Sequence, residues 1–475
     1  MEIKNHGRAA IFILAVFDIL LINLSIVLAF WLKFGFVSFN EIPIKNIRPY
    51  FELLPYITIS AFIIFYLYSL YSDWRRKQLI NLIFLIVLSV TTLNIITIVL
   101  TFWYRGFAFP RSVLLIAFII QIISMVTSRS LFWLMAKYIF GRRRVLIVGK
   151  EIEGNISIAD KIMEHSKDWF VVQDMLLEIN EEDLVKKVHY VDVALVLPSL
   201  TKEEKAIVIN VCARLNKEVL LVPEIYELFI MDSQQQQIDD MLVLSIQPPK
   251  LTVSQNFLKR TLDITVSLIL LIFTLPIIVL LFILIPMTSR GPALYRQERL
   301  GKDARPYQIY KFRSMAVDAE RKTGPMLAKK DDPRITKIGK LIRATRLDEI
   351  PQLFNIIKGD MSLVGPRPER KYFIDKFQET IPDYNYRLTV KPGLTGLAQV
   401  LAKYSTTVDD KLRFDLMYVK NYSFALDIKI ILQTIRVVLQ RDQSQGIDDN
   451  TKSKSRRDDL LTRFGLGEVA ATKNN

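Results

Sequence analysis

Four long apolar stretches, roughly residues 9–32, 51–71, 79–103 and 112–140, occupy the first third of the chain. Each reaches the ~20 residues that a helix needs to cross a ~30 Å hydrocarbon core. Helices of this length and composition in direct succession predict a membrane bundle rather than the core of a soluble domain. Basic residues orient it. Lys4 and Arg8 precede the first stretch, Arg75, Arg76 and Lys77 follow the second, and Arg142, Arg143 and Arg144 follow the fourth. The opposite loops carry Lys33, Lys45 and Arg48, then Arg105 and Arg111, so the bias is moderate and puts both ends of the bundle on the cytoplasmic side.

At 475 residues the chain has room for two or three domains, and its apolar residues, 51% of the total, fall in blocks. The net charge of +15 sits largely in loops beside those blocks and in the last two hundred residues. Flanking membrane segments, such charge suits anionic headgroups and phosphorylated substrates better than nucleic acid. Cys212 is the single cysteine, which excludes a disulfide framework and cysteine-ligated metals. No short apolar segment ending in a small-residue cleavage site marks the N-terminus, so no cleaved signal peptide is expected.

From Arg144 the pattern changes. Residues 144–149, 169–176, 191–199 and 217–223 are short β-rich runs, with charged amphipathic segments between them. That alternation predicts a parallel βαβ sheet, a Rossmann-like domain over residues 141–250. The first strand ends at Gly149, where a dinucleotide fold places its phosphate turn, but only Gly154 follows, so the three-glycine fingerprint is absent. The domain is expected to be cofactor-free. Four consecutive glutamines, 234–237, and Pro248–Pro249 read as the linker that ends it.

A fifth apolar stretch, 262–286, opens the last part of the chain. Its length would allow a crossing. Pro276 near its middle removes a helix hydrogen bond and favours a kink. Both flanks are basic, with Lys259 and Arg260 before it and Arg290, Arg296 and Arg299 after. These features favour a re-entrant helix that dips into one leaflet and returns, keeping the last two hundred residues in the cytoplasm.

The chemistry is concentrated beyond it. Residues 291–315 carry cations at 296, 299, 302, 305, 311 and 313, and strand-like alternation would put Lys311 and Arg313 on one face. Arg343 precedes the acidic pair Asp348–Glu349 by five residues, and Arg367 lies nineteen beyond it in a Gly-Pro-Arg-Pro turn. The three histidines, at 6, 165 and 189, provide no imidazole base in this region. Carboxylates among cations suit phosphoryl chemistry: a carboxylate can act as nucleophile or metal ligand while guanidinium and ammonium groups neutralise phosphate oxygens. Adjacent residues on a helix point about 100° apart, so the two carboxylates should have different tasks. From Asp409 to Leu439 apolar and basic residues interleave, as in helices lying on a membrane surface or packing on a core. The tail from 446 is polar and is expected to be mobile.

Four segments together, GPALYRQERLG (291–301), YKFRSM (310–315), RLDEIPQLFNIIKGDMSLVGPRPE (346–369) and KPGLTGLAQV (391–400), closely resemble the bacterial sugar transferases, the monotopic polyprenyl-phosphate hexose-1-phosphate transferases. The resemblance runs in order from Val253 to about Gln440, and the preceding bundle and Rossmann-like domain match the long form of that family. It implies a membrane α-helical bundle (1–140), an α/β Rossmann-like domain (141–250), an α-rich α+β monotopic catalytic domain (251–445) with its re-entrant helix, and the tail 446–475. It also implies transfer of a sugar 1-phosphate from a UDP-sugar to undecaprenyl phosphate with Mg²⁺, releasing UMP at the start of exopolysaccharide, capsule or O-antigen repeat-unit assembly. The partners are then the two substrates and membrane lipids of the bacterial inner membrane, with no nucleic acid; a homo-oligomer is compatible with this. Position by position, Asp348 matches the nucleophile that forms a phosphosugar-aspartyl intermediate. Glu349 matches its partner in metal or proton handling, so Asp348 and Glu349 are also the expected metal ligands. Lys311, Arg343 and Arg367 match phosphate-contacting residues, and Arg313 joins them by spacing. A nucleotide-sugar dehydratase shares the bundle and Rossmann-like domain, but would need the missing glycine loop and a Tyr-x-x-x-Lys pair. A non-catalytic assembly scaffold is the other alternative, and the intact acidic pair speaks against it.

Overall fold

The computed structural model describes residues 2–34, 44–72, 77–104, 110–166, 168–231, 233–246, 251–317, 332–402, 406–440 and 451–464. They fall into two compact units, one of residues 1–222 with 450–475 and the other of 223–449.

In the first unit, helices α1 (Glu2–Lys33), α2 (Ile44–Leu67), α3 (Leu79–Trp103) and α4 (Arg111–Phe140) form the bundle. All four are long and apolar enough to cross a membrane. Helix α2 starts before the expected residue 51 and contains Pro49 and Pro55. The bundle interior is unexpectedly polar. Arg129 pairs with Asp18, both fully buried, and Asn94 Nδ2 donates to Gln121 Oε1 at 2.8 Å. Interhelical polar contacts hold helices together where lipid offers no hydrophobic drive for association. Of the basic residues used for orientation, Arg75, Arg76 and Arg105 lie outside the described residues.

Strands β1 (Arg143–Val148), β2 (Phe170–Leu176), β3 (Val193–Val196) and β4 (Glu218–Leu221) form a parallel sheet in the order β2-β1-β3-β4. Helices α5 (Ile152–His165), α6 (Glu181–His189) and α7 (Lys202–Arg214) connect them. Because strand side chains alternate, Leu146, Val148, Ala194 and Val196 meet α6 and α7 on one face. Val145, Ile147 and Val193 meet Ile152, Ile156 and Ala159 of α5 on the other. After β1 the turn is filled by protein. Asn155, fully buried, donates from Nδ2 to Gly149 O at 2.7 Å, and a Cβ on Gly149 would lie 2.6 Å from the Asn155 Oδ1.

The second unit begins earlier than the expected boundary at 250. Helix α8 (Ile225–Ile230) packs Ile225 and Leu228 beside Leu412 and Leu416. The glutamine run read as a linker is strand β5 (Gln234–Ile238), which pairs antiparallel with β6 (Met241–Ser245) through a turn at Asp239, φ 54°. Pro248–Pro249 lie outside the described residues. Helix α9 (Val253–Thr288) is capped by Thr252, whose hydroxyl accepts from the Gln255 N–H, and runs through Pro276 without a break in secondary structure. Its two halves both pack on the core of the second unit. Lys259 and Asp263 contact residues 362–364, and Ile278, Leu281 and Ile285 pack with Phe312 and Ile342. Between them Ile272, Phe273 and Leu275 are exposed.

The core around the site consists of the hairpin β7 (Leu294–Leu300) and β8 (Pro306–Phe312), helices α10 (Lys337–Ala344) and α11 (Gln352–Lys358), strand β9 (Ser362–Val364), helix α12 (Lys371–Thr380) and strand β10 (Gly393–Thr395). Strands β9 and β10 pair in parallel. Helices α13 (Leu397–Leu401), α14 (Val408–Lys420) and α15 (Phe424–Gln440) close it. Leu412, Leu416 and Val419 of α14 are buried in the core, whereas Ile435, Val438 and Leu439 on α15 remain exposed.

The tail expected to be mobile contains helix α16 (Thr451–Arg463). Leu460 is fully buried in the cluster between α5 and the sheet, with Leu461 and Phe464 beside it. Arg456 faces Asp160 at 3.4 Å, and Arg457 pairs with Glu153. The two leucines within a run of charges give the segment an apolar contact that its composition conceals.

Candidate active site

The acidic pair sits in a turn held from several sides. Helix α10 stops at Ala344, Arg346 takes a left-handed conformation, and residues 347–349 form a single 3-10 turn before Pro351 starts α11. Proline suits a helix start because its missing N–H has no partner to lose there. Asn355, fully buried in α11, ties that helix to β8. Its Nδ2 donates to Gln308 O at 2.7 Å and its Oδ1 accepts from the Tyr310 N–H at 3.0 Å. The carboxylates of the turn and Lys311 of β8 therefore belong to one rigid piece. The long apolar helix α9 secures the far side. Arg260 donates to Ile356 O and Ile357 O at the end of α11, both at 2.6 Å, and Lys259 Nζ donates to Val364 O at 2.9 Å.

The turn bearing Arg367 follows β9. Gly365 N–H donates to Thr395 O, and Gly393 N–H to Pro366 O, both at 2.9 Å. A Cβ on Gly365 would collide with Lys391 O, so only glycine fits this close crossing. Arg387, itself paired with buried Asp415 at 2.7 Å, donates to Arg367 O at 2.9 Å.

These elements form a cavity of about 520 Å³ whose lining includes Lys311, Arg343, Arg346, Asp348, Glu349 and Arg367. Phe373, Phe377, Tyr384, Gln399 and Lys411 line it too. The two carboxylates differ sharply. Glu349 Oε1 lies 3.2 Å from Lys311 Nζ and 3.5 Å from an Arg367 Nη2. Asp348 has no hydrogen bond or ion pair among the described residues. Burial, then the neighbouring Glu349 charge, pushes the Asp348 carboxyl up to about 6, although Lys311, Arg343 and Arg346 oppose the shift. Burial also raises Glu349, but Lys311, Arg367 and Arg346 together outweigh it and bring this carboxyl down to about 2. At neutral pH both are ionised. Asp348 is the more basic and the unpaired one, which suits it to attack an electrophile. Glu349 is held as a counter-charge.

Of the residues expected from sequence, Lys311, Arg343, Asp348, Glu349 and Arg367 converge on this cavity. Arg313 does not. Strand β8 ends at Phe312, so the two-residue alternation that would have aligned Arg313 with Lys311 no longer applies. Its guanidinium donates to Ser289 O and Arg290 O, both at 2.6 Å, and to Ser289 Oγ, clamping the C-terminal end of α9. Gly291, at φ 114°, makes room for it, since a Cβ there would collide with the Arg313 Nη1. Pro276 lies inside α9, away from the cavity. Sequence reasoning misses Arg346, Arg387 and Gln399. Arg346 is three residues, about one helical turn, from Arg343, a spacing that could have drawn attention to it.

The second unit thus combines a long apolar helix with a cavity in which an acidic pair lies among cations. The chain belongs to the bacterial sugar transferase family, whose sequence profile matches residues 254–441. It is 45% identical over 186 residues to UDP-N-acetylgalactosamine-undecaprenyl-phosphate N-acetylgalactosaminephosphotransferase of Aeromonas hydrophila, covering 38% of this chain and 44% of that protein. It is 40% identical over 217 residues to undecaprenyl-phosphate galactose phosphotransferase of Salmonella typhimurium, covering 43% and 45% respectively. A putative undecaprenyl-phosphate N-acetylgalactosaminyl 1-phosphate transferase of Bacillus subtilis is 54% identical over 131 residues, 28% of this chain and 73% of that protein. The chain thus spans less than half the length of the first two relatives.

Proposed function

We propose that this protein transfers a sugar 1-phosphate from a UDP-sugar to undecaprenyl phosphate, the initiating step of a surface-polysaccharide repeat unit. The observation that carries the proposal is the contrast between Asp348, more basic and unpaired among the described residues, and the cation-bound Glu349 in one cavity. An Asp348 Oδ attacks the β-phosphorus of the donor, and the bond from that phosphorus to the bridging oxygen breaks. UMP leaves with the electron pair, and the sugar phosphate remains as an acyl phosphate on Asp348. An oxygen of undecaprenyl phosphate then attacks the same phosphorus, the aspartyl oxygen departs as carboxylate, and undecaprenyl-diphosphate-sugar is released. Lys311, Arg343 and Arg367 offset the repulsion between the carboxylate and the phosphates. A covalent intermediate lets a soluble donor and a lipid acceptor use one cavity in turn.

Among the described residues no group of three or more His, Cys, Asp or Glu side chains is arranged to hold a metal. The adjacent carboxylates in the cavity fit Mg²⁺ as it is usually held at phosphate sites, by one or two carboxylates together with substrate phosphates and water. Asp348 and Glu349 are the carboxylates that would hold it, and the ion would supply charge neutralisation on the diphosphate.

Membrane placement follows the same reading. The catalytic domain faces the cytoplasm of the bacterial inner membrane, and α9 enters and leaves on that one side with its bend at Pro276. Contacts of both the 259–263 and 278–285 segments with one catalytic core support this. Were α9 straight, residues 259 and 285 would be about 39 Å apart, more than the hydrocarbon thickness. The four-stranded parallel sheet is read as a Rossmann-like domain without a dinucleotide, supported by the Asn155 side chain filling the turn after β1. Release of UMP from a panel of UDP-sugars, measured with the full-length protein in membranes containing undecaprenyl phosphate, tests the activity and identifies the sugar. No UMP from any donor would refute it.

A further inference from the structure

We propose that Arg346 binds the diphosphate of the nucleotide-sugar donor, an assignment that rests on the transferase reading above. Helix α10 ends through Thr345, at φ −98° and ψ 0°, and then Arg346, at φ 55° and ψ 18°. The Arg346 N–H donates to Arg343 O at 3.2 Å, and its carbonyl accepts from the Glu349 N–H at 3.2 Å. This is the left-handed position that commonly stops a helix, where glycine fits without steric penalty and a Cβ does not. Among the described residues the other non-glycine positions with positive φ are Ser69, Asn216, Asp239, Asp303 and Ala304, all short side chains. Only at Arg346 does a long cation occupy such a position, and there it lines the cavity. A helix stop alone would be served better by glycine, so the arginine's presence calls for a task for its side chain.

The surrounding charges say what that task is. Lys311 and Arg367 are committed to Glu349. Arg343 and Arg346 form no side-chain hydrogen bond or ion pair among the described residues, so their guanidinium donors are unspent. Four cations, Lys311, Arg343, Arg346 and Arg367, face two carboxylates, Asp348 and Glu349, leaving two positive charges. The other charged groups of the lining balance, Arg387 against Asp415 and Lys411 against Glu369. A diphosphate esterified at both ends carries about two negative charges, and guanidinium groups match its oxygens in geometry as well as charge. Of the net positive charge that these side chains themselves supply, Arg346 provides half.

The test compares the full-length wild-type protein with Arg346→Gly, which keeps the backbone turn and removes only the cation. Donor kcat/KM and UDP affinity by calorimetry should each fall about tenfold, as expected for loss of a charged hydrogen bond. The kcat/KM for undecaprenyl phosphate should fall clearly less than that for the donor, because in two-step transfer it reports only on steps after donor capture. The melting temperature should be no lower than wild type. Arg346→Lys should recover part of the UDP affinity, and Arg346→Asn, also tolerant of this turn, should reproduce the glycine result if that variant fails to fold. Unchanged donor kcat/KM and UDP affinity would overturn the assignment. So would an equal fall for both substrates, which points to the acceptor phosphate or to general damage. Should the wild type release no UMP, the transferase reading fails, and UDP affinity in the variants still decides the role of Arg346.

Discussion

The 3.2 Å ion pair between Lys311 and Glu349 joins strand β8 to the turn before α11 and leaves Asp348, the adjacent carboxylate in the chain, unpaired among the described residues. Two adjacent acids thus acquire opposite characters. Glu349 is stabilised as an anion by two cations, whereas Asp348 is made more basic by burial and by Glu349 itself. Sharing a motif does not make them interchangeable.

The division predicts a specific pH dependence. Asp348 must be ionised to attack, so donor kcat/KM should fall about tenfold per unit below its pKa. With that carboxyl raised to about 6 before any cation binds, the acid limb should lie above pH 4, and less far above it once Mg²⁺ is bound. Glu349→Gln removes a like charge and should move the limb of the residual activity to lower pH, while lowering kcat by about a hundredfold or more. A pH–rate profile of both proteins at saturating Mg²⁺ checks the sign; an upward shift in the variant would contradict it.

Arg313 should behave as a structural clamp. Arg313→Met strips the donors from Ser289 O and Arg290 O and should cost about 1–3 kcal/mol of stability. The KM for the donor should stay within about twofold of wild type. Melting temperature and steady-state kinetics on the same preparation separate the two roles, and a large rise in KM without loss of stability would return Arg313 to the phosphate site.

The path of α9 can be read from cysteine accessibility. In a chain with Cys212 replaced, single cysteines in place of Ser254 and Ser289 bracket the helix. Both should resist a membrane-impermeant maleimide in intact cells and react after permeabilisation. Labelling of the second site alone in intact cells would show that α9 crosses.

Docking of α16 predicts protection of its arginines. Tryptic cleavage after Arg456 and Arg457 should be slow in the wild type, since both are ion-paired with the central domain and Leu460 is buried behind them. Leu460→Asp places a charge in that apolar cluster and should accelerate cleavage strongly. Equal rates would mean that the helix is not held in solution.

Much of this architecture is legible in the sequence for definite reasons. The bundle and the parallel strands announce themselves because apolar runs of membrane length and short β-branched runs each leave a periodicity. The acidic pair and Lys311, Arg343 and Arg367 are legible because charged residues cluster between apolar segments. Other features are hidden. Arg313 is misassigned because alternation says nothing about where a strand ends. Arg346 escapes notice because a left-handed φ leaves no mark on an arginine. Helix α16 reads as a mobile tail because its buried face amounts to Leu460 and its neighbours. The buried Asp18–Arg129 pair is hidden too, since its partners lie 111 residues apart.

Covalent transfer through Asp348 is tested most directly by mass spectrometry of the full-length protein incubated with a UDP-sugar it accepts, Mg²⁺ and no polyprenyl phosphate. A sugar-phosphate adduct on the peptide containing Asp348, absent from Asp348→Asn and discharged by undecaprenyl phosphate, is the expected result, together with parallel double-reciprocal lines. No adduct, with intersecting lines, would mean direct transfer in a ternary complex and would leave Asp348 as a ligand rather than a nucleophile.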